Sequence, residues 1–192
     1  REPRYGRAGA ILQAAAAHAP EHDALLALYE EVARASGDPA MVLDFLERRA
    51  ARPDATLEHV REGVERADAV EAGDRAEALL ARGLDIARES EGGLRDALWV
   101  PISLADRRAA AGDVGAAITH MRAAAEVAEG DEAFRLWMRV ADLASQDGGD
   151  LQLAASTYRE LLGSDPSNRE LWEPLAGVYA KLQDRDGLEE VV

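Results

Sequence analysis

At 192 residues, of which 47% are hydrophobic and only 5% aromatic, the chain can bury a core, but that core must consist mainly of Ala, Leu and Val. Its formal net charge of -15 repels phosphate backbones and anionic lipid headgroups, which argues against nucleic acid and membrane surfaces as partners. It has no cysteine, which excludes disulfides, thiolate nucleophiles and zinc–thiolate sites.

The apolar residues follow a helical pattern along the whole chain. No stretch alternates Val, Ile, Thr and aromatic residues as a strand would, and no apolar run reaches about 18 residues. We therefore expect an all-α fold without a membrane-spanning helix. The chain begins at Arg1 rather than Met and ends at Val192 within an amphipathic segment, so we expect a piece of a longer protein, either cytoplasmic or periplasmic.

Residues 1–20 are predicted to form one helix that ends at Pro20. Its apolar stripe consists of Ala8, Leu12, Ala15 and Ala16. The helix is either the second half of a repeat whose first helix is missing or a free N-terminal capping helix.

Two helix pairs are predicted at residues 22–55 and 57–93, each joined by a turn that contains Gly-Asp. The first pair should bury Leu25, Leu28, Tyr29 and Val32, then Met41, Phe45 and Leu46. The second should bury Val60, Val64, Ala67 and Val70, then Ala76, Leu80, Gly83, Leu84 and Ala87. Because glycine disfavours a helix by about 1 kcal/mol relative to Ala, we expect Gly83 to mark a close helix contact.

Two further pairs are predicted at residues 94–131 and 133–168, followed by a partial repeat at 169–192. The third pair should bury Leu98, Ile102, Leu104 and Ala105, then Ala117, Met121 and Ala124. The fourth should bury Trp137, Val140, Ala141 and Ala144, then Ala154, Tyr158, Leu161 and Leu162. The partial repeat should bury Trp172, Leu175, Ala176 and Tyr179, and it leaves Leu188, Val191 and Val192 without a partner in this chain.

The spacing of these helices is periodic. The residues that open successive second helices are 33, 35, 41, 37 and 34 positions apart, at Ala8, Met41, Ala76, Ala117, Ala154 and Leu188. The interval of 41 exceeds 34 by seven residues, which is close to two helical turns. We therefore predict a protruding helix pair between about Ala87 and Ile102, bent at Pro101.

The segment from Ala154 to Leu188 resembles the tetratricopeptide repeat (TPR) family. That family places an aromatic residue, Leu, Gly or Ala and Tyr on the first helix of a pair, Ala and an aromatic residue on the second, and a closing Pro. Here the matching residues are Trp172, Leu175, Ala176 and Tyr179, then Ala154, Tyr158 and Pro166. The resemblance implies an α-solenoid of antiparallel helix pairs in a right-handed superhelix, whose function is protein binding.

The resemblance also implies a binding groove on the concave face, formed by first-helix positions between the buried ones. Carried over one by one, these positions are Leu26, Glu30, Arg34, Glu58, Arg61, Glu65, Asp68, Trp99, Ile102, Asp106, Arg135, Met138, Arg139, Asp142, Glu173, Gly177 and Lys181. Chaperone-binding members grip a C-terminal carboxylate with Lys, Asn and Arg, but Lys181 is the only lysine here and Asn168, in a turn, the only asparagine.

The groove residues form a mixed surface with an acidic bias. We therefore expect a basic or amphipathic protein segment as the partner, with Trp99 or Met138 as an apolar anchor and the carboxylates orienting it. The alternative is that these charges only solvate the helix faces.

No residues indicate catalysis, a metal or a cofactor. His18 and His22 have the i, i+4 spacing of two metal ligands, but Pro20 between them should end the helix, so we expect surface or cap histidines, with His59 and His120. The glycine turns lack the strand and lysine of a nucleotide-binding loop. We predict a scaffold without enzyme activity, part of a larger bacterial protein; the alternatives are self-assembly through the C-terminal helix, or the regulatory arm of a signalling protein.

Overall fold

The computed structural model describes residues 3–191, and the side chains of residues 5–189. Within that range the chain contains eleven α-helices, two short 3₁₀-helices and no strand, which confirms the all-α prediction. The chain forms two compact units, Arg1–Gly93 and Leu94–Val192. The single array over residues 1–192 stays a prediction.

Unit 1 consists of five helices that pack against one another in chain order. They are α1 (Pro3–His18), α2 (Asp23–Ser36), α3 (Pro39–Ala50), α4 (Leu57–Ala69) and α5 (Gly73–Glu89). Besides its neighbour α2, α1 also touches α3, and α3 in the same way touches α5. This contact is the one expected of the second helix of a preceding pair, and the assignment of residues 1–20 to a half repeat stays a prediction.

The core of unit 1 lies between the stripes of α2 and α3. Tyr29 is fully buried and meets the ring of Phe45 edge to face, with centroids 6.2 Å apart. The predicted stripe of α2 is wrong by one position, since Leu26 and Ala33 are buried whereas Leu28 is 48% exposed. Leu25 and Val32 pack only partly against this core.

Helix α4 packs closely against its neighbours at Gly63. A Cβ atom at this position would lie 2.8 Å from Leu79 Cδ1 on α5 and 3.6 Å from Leu46 Cβ on α3. The predicted stripe of α5 is buried throughout, including Gly83. Val70, predicted to be buried, is 36% exposed because α4 ends one residue before it.

Unit 2 contains six helices, which also pack in chain order. They are α6 (Trp99–Ala110), α7 (Val114–Ala125), α8 (Gly130–Ser145), α9 (Leu151–Ser164), α10 (Trp172–Leu182) and α11 (Arg185–Val191). Ala154, Tyr158 and Leu161 are buried as predicted. The prediction that Leu188 lacks a partner in this chain is wrong, since it packs partly against the same core. The predictions for Val192 and for the side chain of Val191 lie outside the described residues.

The prediction of a protruding helix pair before Ile102 is wrong. The extra residues form the 3₁₀-helix Gly93–Ala97, and α6 starts at Trp99. Pro101 is buried in the first turn of α6, where no intrahelical amide bond is required, so it does not need to bend the helix.

The prediction that Trp172 is buried is also wrong, since its side chain is 38% exposed. The 3₁₀-helix Arg169–Leu171 precedes α10 and turns the chain once in three residues instead of 3.6. Leu171 therefore takes the buried position, in line with Leu175 and Tyr179.

A turn of the same kind joins the two helices of each pair. The five turns, between α2 and α3, α4 and α5, α6 and α7, α8 and α9, and α10 and α11, span two to five residues. Each contains one residue with positive φ: Gly37, Glu71, Gly112, Gly148 and Gln183. Asp side chains cap the second helix in four of them, at Asp38, Asp113, Asp150 and Asp184.

Hydrogen bonds within two of the pairs are those expected of antiparallel helices. The hydroxyl of Tyr29 on α2 donates to Asp44 on α3 at 2.7 Å, fifteen residues further along the chain. Tyr158 on α9 donates in the same way to Asp142 on α8, sixteen residues earlier. Burial and the bond to Asp44 raise the pKa of the Tyr29 phenol well above its usual range, so it remains a donor at neutral pH.

Arginine side chains join the second helices of consecutive pairs in unit 1. Arg75 on α5 donates to both carboxylate oxygens of Glu47 on α3, at 2.6 and 2.5 Å. Arg82 on α5 donates to the carbonyls of Ala50 and Arg52 at the C-terminal end of α3. These carbonyls have no partner within α3, so the neighbouring repeat supplies one.

We expect Glu71→Gly to stabilise the protein and Gly112→Ala to destabilise it, each by about 1 kcal/mol. Both positions have positive φ, of 57° and 79°, which costs a residue with a Cβ atom more than glycine. Urea unfolding of the variants measures the change in the free energy of unfolding. Glu71→Ala, which removes the carboxylate but keeps Cβ, is the control, and equal stabilisation by both Glu71 variants would contradict the prediction.

We expect His59→Gln to reduce the loss of stability between pH 7 and pH 5. The Nδ1 atom of His59 accepts a hydrogen bond from the Thr56 amide at the start of α4, which requires an unprotonated ring. Burial, followed by the nearby Arg49 charge, lowers the pKa of His59. As pH falls, the unfolded state therefore binds this proton first, and the free energy of unfolding decreases.

Glutamine suits this comparison because it can make the same capping bond without titrating. Thermal unfolding at several pH values for both proteins gives the difference. Parallel curves for the unmodified protein and the His59→Gln variant would show that this ring does not contribute.

Candidate partner-binding site

The exposed sides of the first helices carry most of the residues predicted to bind a partner. In unit 1 we call this surface the unit-1 face, formed on α2 and α4 by Glu30, Arg34, Glu58, Arg61, Glu62, Glu65 and Asp68. In unit 2 we call it the unit-2 face, formed on α6, α8 and α10 by Trp99, Ile102, Asp106, Arg135, Met138, Arg139, Glu173, Gly177 and Lys181. Leu26, although predicted, belongs to the core, where it is 7% exposed.

Arg34 holds the two helices of the unit-1 face together. Its guanidinium donates to both carboxylate oxygens of Glu62 on α4, at 2.6 and 2.9 Å, and to Glu30 on its own helix at 3.0 Å. These hydrogen bonds raise the pKa of Arg34 above its usual range and lower that of Glu62. Arg34 is therefore committed to the fold, with little capacity left for a partner.

The sequence did not single out Glu62. A usable signal was its distance of 28 residues from Arg34, the same separation that joins Arg75 to Glu47. A bidentate Arg–carboxylate pair fixes both position and orientation, so these two bridges define how consecutive pairs meet.

Glu58, Arg61, Glu65 and Asp68 lie on one exposed stripe of α4. Arg61 and Asp68 already have interactions within the protein. Within the described part of the chain, Glu65 has neither a hydrogen bond nor an ion pair. Its carboxylate is thus accessible to a cationic partner.

Two contacts join the first helices of unit 2. Arg139 on α8 pairs with Asp106 on α6, and both side chains are about half exposed. Lys181 on α10 donates to the carbonyl of Ser145, the last residue of α8, at 2.7 Å. The sole lysine therefore caps a neighbouring helix, where its charge also opposes the negative end of the helix dipole.

Two further predicted residues take part in internal contacts. Asp142 accepts the hydroxyl hydrogen of Tyr158, and the Arg135 Nε donates to the Asp131 carbonyl at 3.2 Å. Asp142 thus links α8 to α9 and does not belong to the unit-2 face.

The centre of the unit-2 face is apolar. Ile102 on α6 and Met138 on α8 are half-buried, with one side packed against the core of unit 2. Trp99 is half-buried as well. A Cβ atom at Gly177 would meet no other atom within 4 Å, so α10 has open space at this position.

His18, His22 and His59 bond to helix ends or to the helix backbone. The His22 ring accepts the Leu25 amide at the start of α2, and the His18 ring bonds to the Ala14 carbonyl. Among the residues that the structure describes, no group of three His, Asp or Glu side chains is arranged to hold a metal ion. In the same range, no helix has the length and apolarity needed to cross a bilayer.

The sequence also missed the exposed surface around Trp172, which lines a depression of about 600 Å³ with Pro166, Ser167, Arg169 and Glu173. The available signal was the turn before it: Asp165-Pro166 ends α9, and Asn168 caps a 3₁₀-helix in front of α10. A pattern counted at 3.6 residues per turn cannot detect that change of phase.

No protein-family model matches the sequence, and no curated protein matches it. Solved structures are similar. TPR-like repeats of a Podosopora anserina protein described as a kinesin light chain superpose with a TM-score of 0.57 at 19% identity, over 89% of this chain and 93% of theirs. MamA of AMB-1 gives 0.56 at 16% identity, over 88% and 89%. BtubC from P. vanneervenii gives 0.52 at 13% identity, over 98% and 85%.

At these identities the likeness shows the fold. It agrees with the antiparallel pairs, the repeated turns and the cross-repeat bridges described above. The chain is therefore a helical-repeat protein with a TPR-like fold.

Proposed function

We propose that the chain is a protein-interaction scaffold that holds a segment of a partner protein against its first-helix faces. The observation that carries the proposal is the unit-2 face, where the half-buried apolar side chains of Ile102 and Met138 lie among charged groups. Apolar anchors surrounded by a polar rim are typical of binding surfaces.

The internal bridges support this function because they hold the faces in place before a partner arrives. Arg34–Glu62 spans α2 and α4, Arg139–Asp106 spans α6 and α8, and Lys181 links α10 to the end of α8. A preformed surface loses less conformational entropy on binding.

Charge defines the partner that we propose. The chain carries a net charge of -15, and Glu58, Glu65 and Glu173 are exposed on the two faces. An amphipathic segment with an apolar side and basic residues complements this combination, whereas an acidic segment is repelled. Holding such a segment requires no catalytic group, so the proposal is one of binding alone.

We expect Met138→Asp to weaken binding of amphipathic peptides at least tenfold, because it places a charge at the apolar centre of the unit-2 face. Peptides of about 20 residues are selected from a randomised display library against the whole chain, and their affinities are measured by calorimetry. Thr119→Asp, which adds the same charge to the exposed side of α7, is the matched control. Selected peptides that bind Met138→Asp as tightly as the unmodified protein would refute the proposed site.

We expect Glu65→Ala to weaken binding of basic peptides from the same selection about threefold at low salt, and the difference to disappear near 0.5 M salt, where exposed charges are screened. Glu89→Ala removes an exposed carboxylate from α5 and serves as the control. Affinity that responds neither to salt nor to Glu65→Ala would remove the electrostatic part of the proposal and leave the apolar part standing.

A further inference from the structure

A second surface, separate from the centre of the unit-2 face, lies at the turn between α9 and α10. Trp172 is 38% exposed there and lines a depression of about 600 Å³. The other lining residues are Pro166, Ser167, Arg169 and Glu173. We call this depression the Trp172 pocket.

Hydrogen bonds fix the wall of the Trp172 pocket. The Asp165 carboxylate accepts from the Ser167 amide at 3.3 Å and from the Ser167 hydroxyl at 2.8 Å. Asn168 accepts the Glu170 amide at 3.1 Å, and Leu171 is fully buried beneath the turn. The turn is thus held both by its own side chains and by the core of unit 2.

The carboxylate at the Trp172 pocket is available to a partner, unlike the main cations on the first helices. Arg34, Arg139 and Lys181 are held by internal contacts. In the part of the chain that the structure describes, the side chains of Trp172 and Glu173 have no hydrogen bond or ion pair. An aromatic face and a carboxylate therefore stand together on one open surface.

We propose that the Trp172 pocket binds an arginine side chain of a partner protein, with the guanidinium on the indole face and paired with Glu173. Indole is the aromatic group that attracts cations most strongly, and the planar guanidinium both stacks on it and pairs with a carboxylate. The net charge of -15 favours a basic partner and opposes a second copy of this chain. Glu173 is the one carboxylate among the lining residues, and the charge of Arg169 on the same wall opposes a high density of cations, so the pocket suits one arginine rather than a run of basic residues.

The probe is a glycine–serine heptapeptide with blocked ends whose only charged residue is a central arginine. It is compared with the same peptide carrying citrulline, the neutral analogue of arginine. The whole 192-residue chain is labelled with ¹⁵N, and the indole N–H signals of its three tryptophans are followed during titration. The Trp172 signal is expected to shift, with about fivefold tighter binding of the arginine peptide. Trp99 and Trp137 should not respond.

Variants separate the two parts of the pocket. Glu173→Gln is expected to weaken binding about threefold and to reduce its dependence on salt. Trp172→Leu keeps an apolar side chain but removes the aromatic face, and it should abolish binding. Because this variant lacks the indole signal, its binding is measured from the backbone amide signals of α10. Leu28→Ala changes an exposed apolar residue on α2 and should have no effect.

Equal affinity for the arginine and citrulline peptides, or undiminished binding by Trp172→Leu, would overturn the inference. Because Glu173→Gln alters only an exposed side chain, it keeps the test valid if Trp172→Leu does not fold. Met138→Asp distinguishes this pocket from the proposed function: it should leave arginine-peptide binding intact while weakening the displayed peptides.

Discussion

The structure depends on the burial of apolar stripes between helices that follow one another in the chain. Within each unit every helix contacts the next. These contacts bury Tyr29, Val60, Val140 and Tyr158 fully or almost fully. Burial of this kind requires that each helix arrive at its neighbour with the correct rotation. The turns and bridges of the fold provide that rotation.

Turns within the pairs and ion pairs between them set the geometry of the repeats. Within a pair, one residue with positive φ reverses the chain, and in four of the five turns an Asp side chain caps the helix that follows. Between pairs of unit 1, Arg34–Glu62 joins first helices and Arg75–Glu47 joins second helices, each across 28 residues. An exposed ion pair contributes little to stability, so the value of these bidentate pairs lies in fixing position.

The charged residues of the candidate site fall into two groups. A first helix buries one stripe, and the charges beside that stripe have two uses: Arg34, Asp106, Arg139 and Lys181 connect helices, whereas Glu65 and Glu173 extend into solvent without a partner in the described chain. Residues that share a helix face are thus not equivalent for binding. In our proposals, the side chains committed to the fold hold the surface rigid, and the uncommitted ones recognise the partner.

The sequence by itself determined the helices, their pairing and their approximate period, because apolar residues at helical spacing and Gly-Asp turns are local patterns. It also indicated cap positions for histidines, which His22 and His59 occupy. Only the tertiary structure decided the phase of each helix and the use of each surface charge. The 3₁₀-helix before α10 buried Leu171 and exposed Trp172, the stripe of α2 moved to Leu26, and Lys181 became a helix cap. The exchange of Leu171 for Trp172 follows from a local change of helical pitch, and the other two outcomes depend on contacts with neighbouring helices. Counting apolar residues at 3.6 per turn along one segment contains neither kind of information.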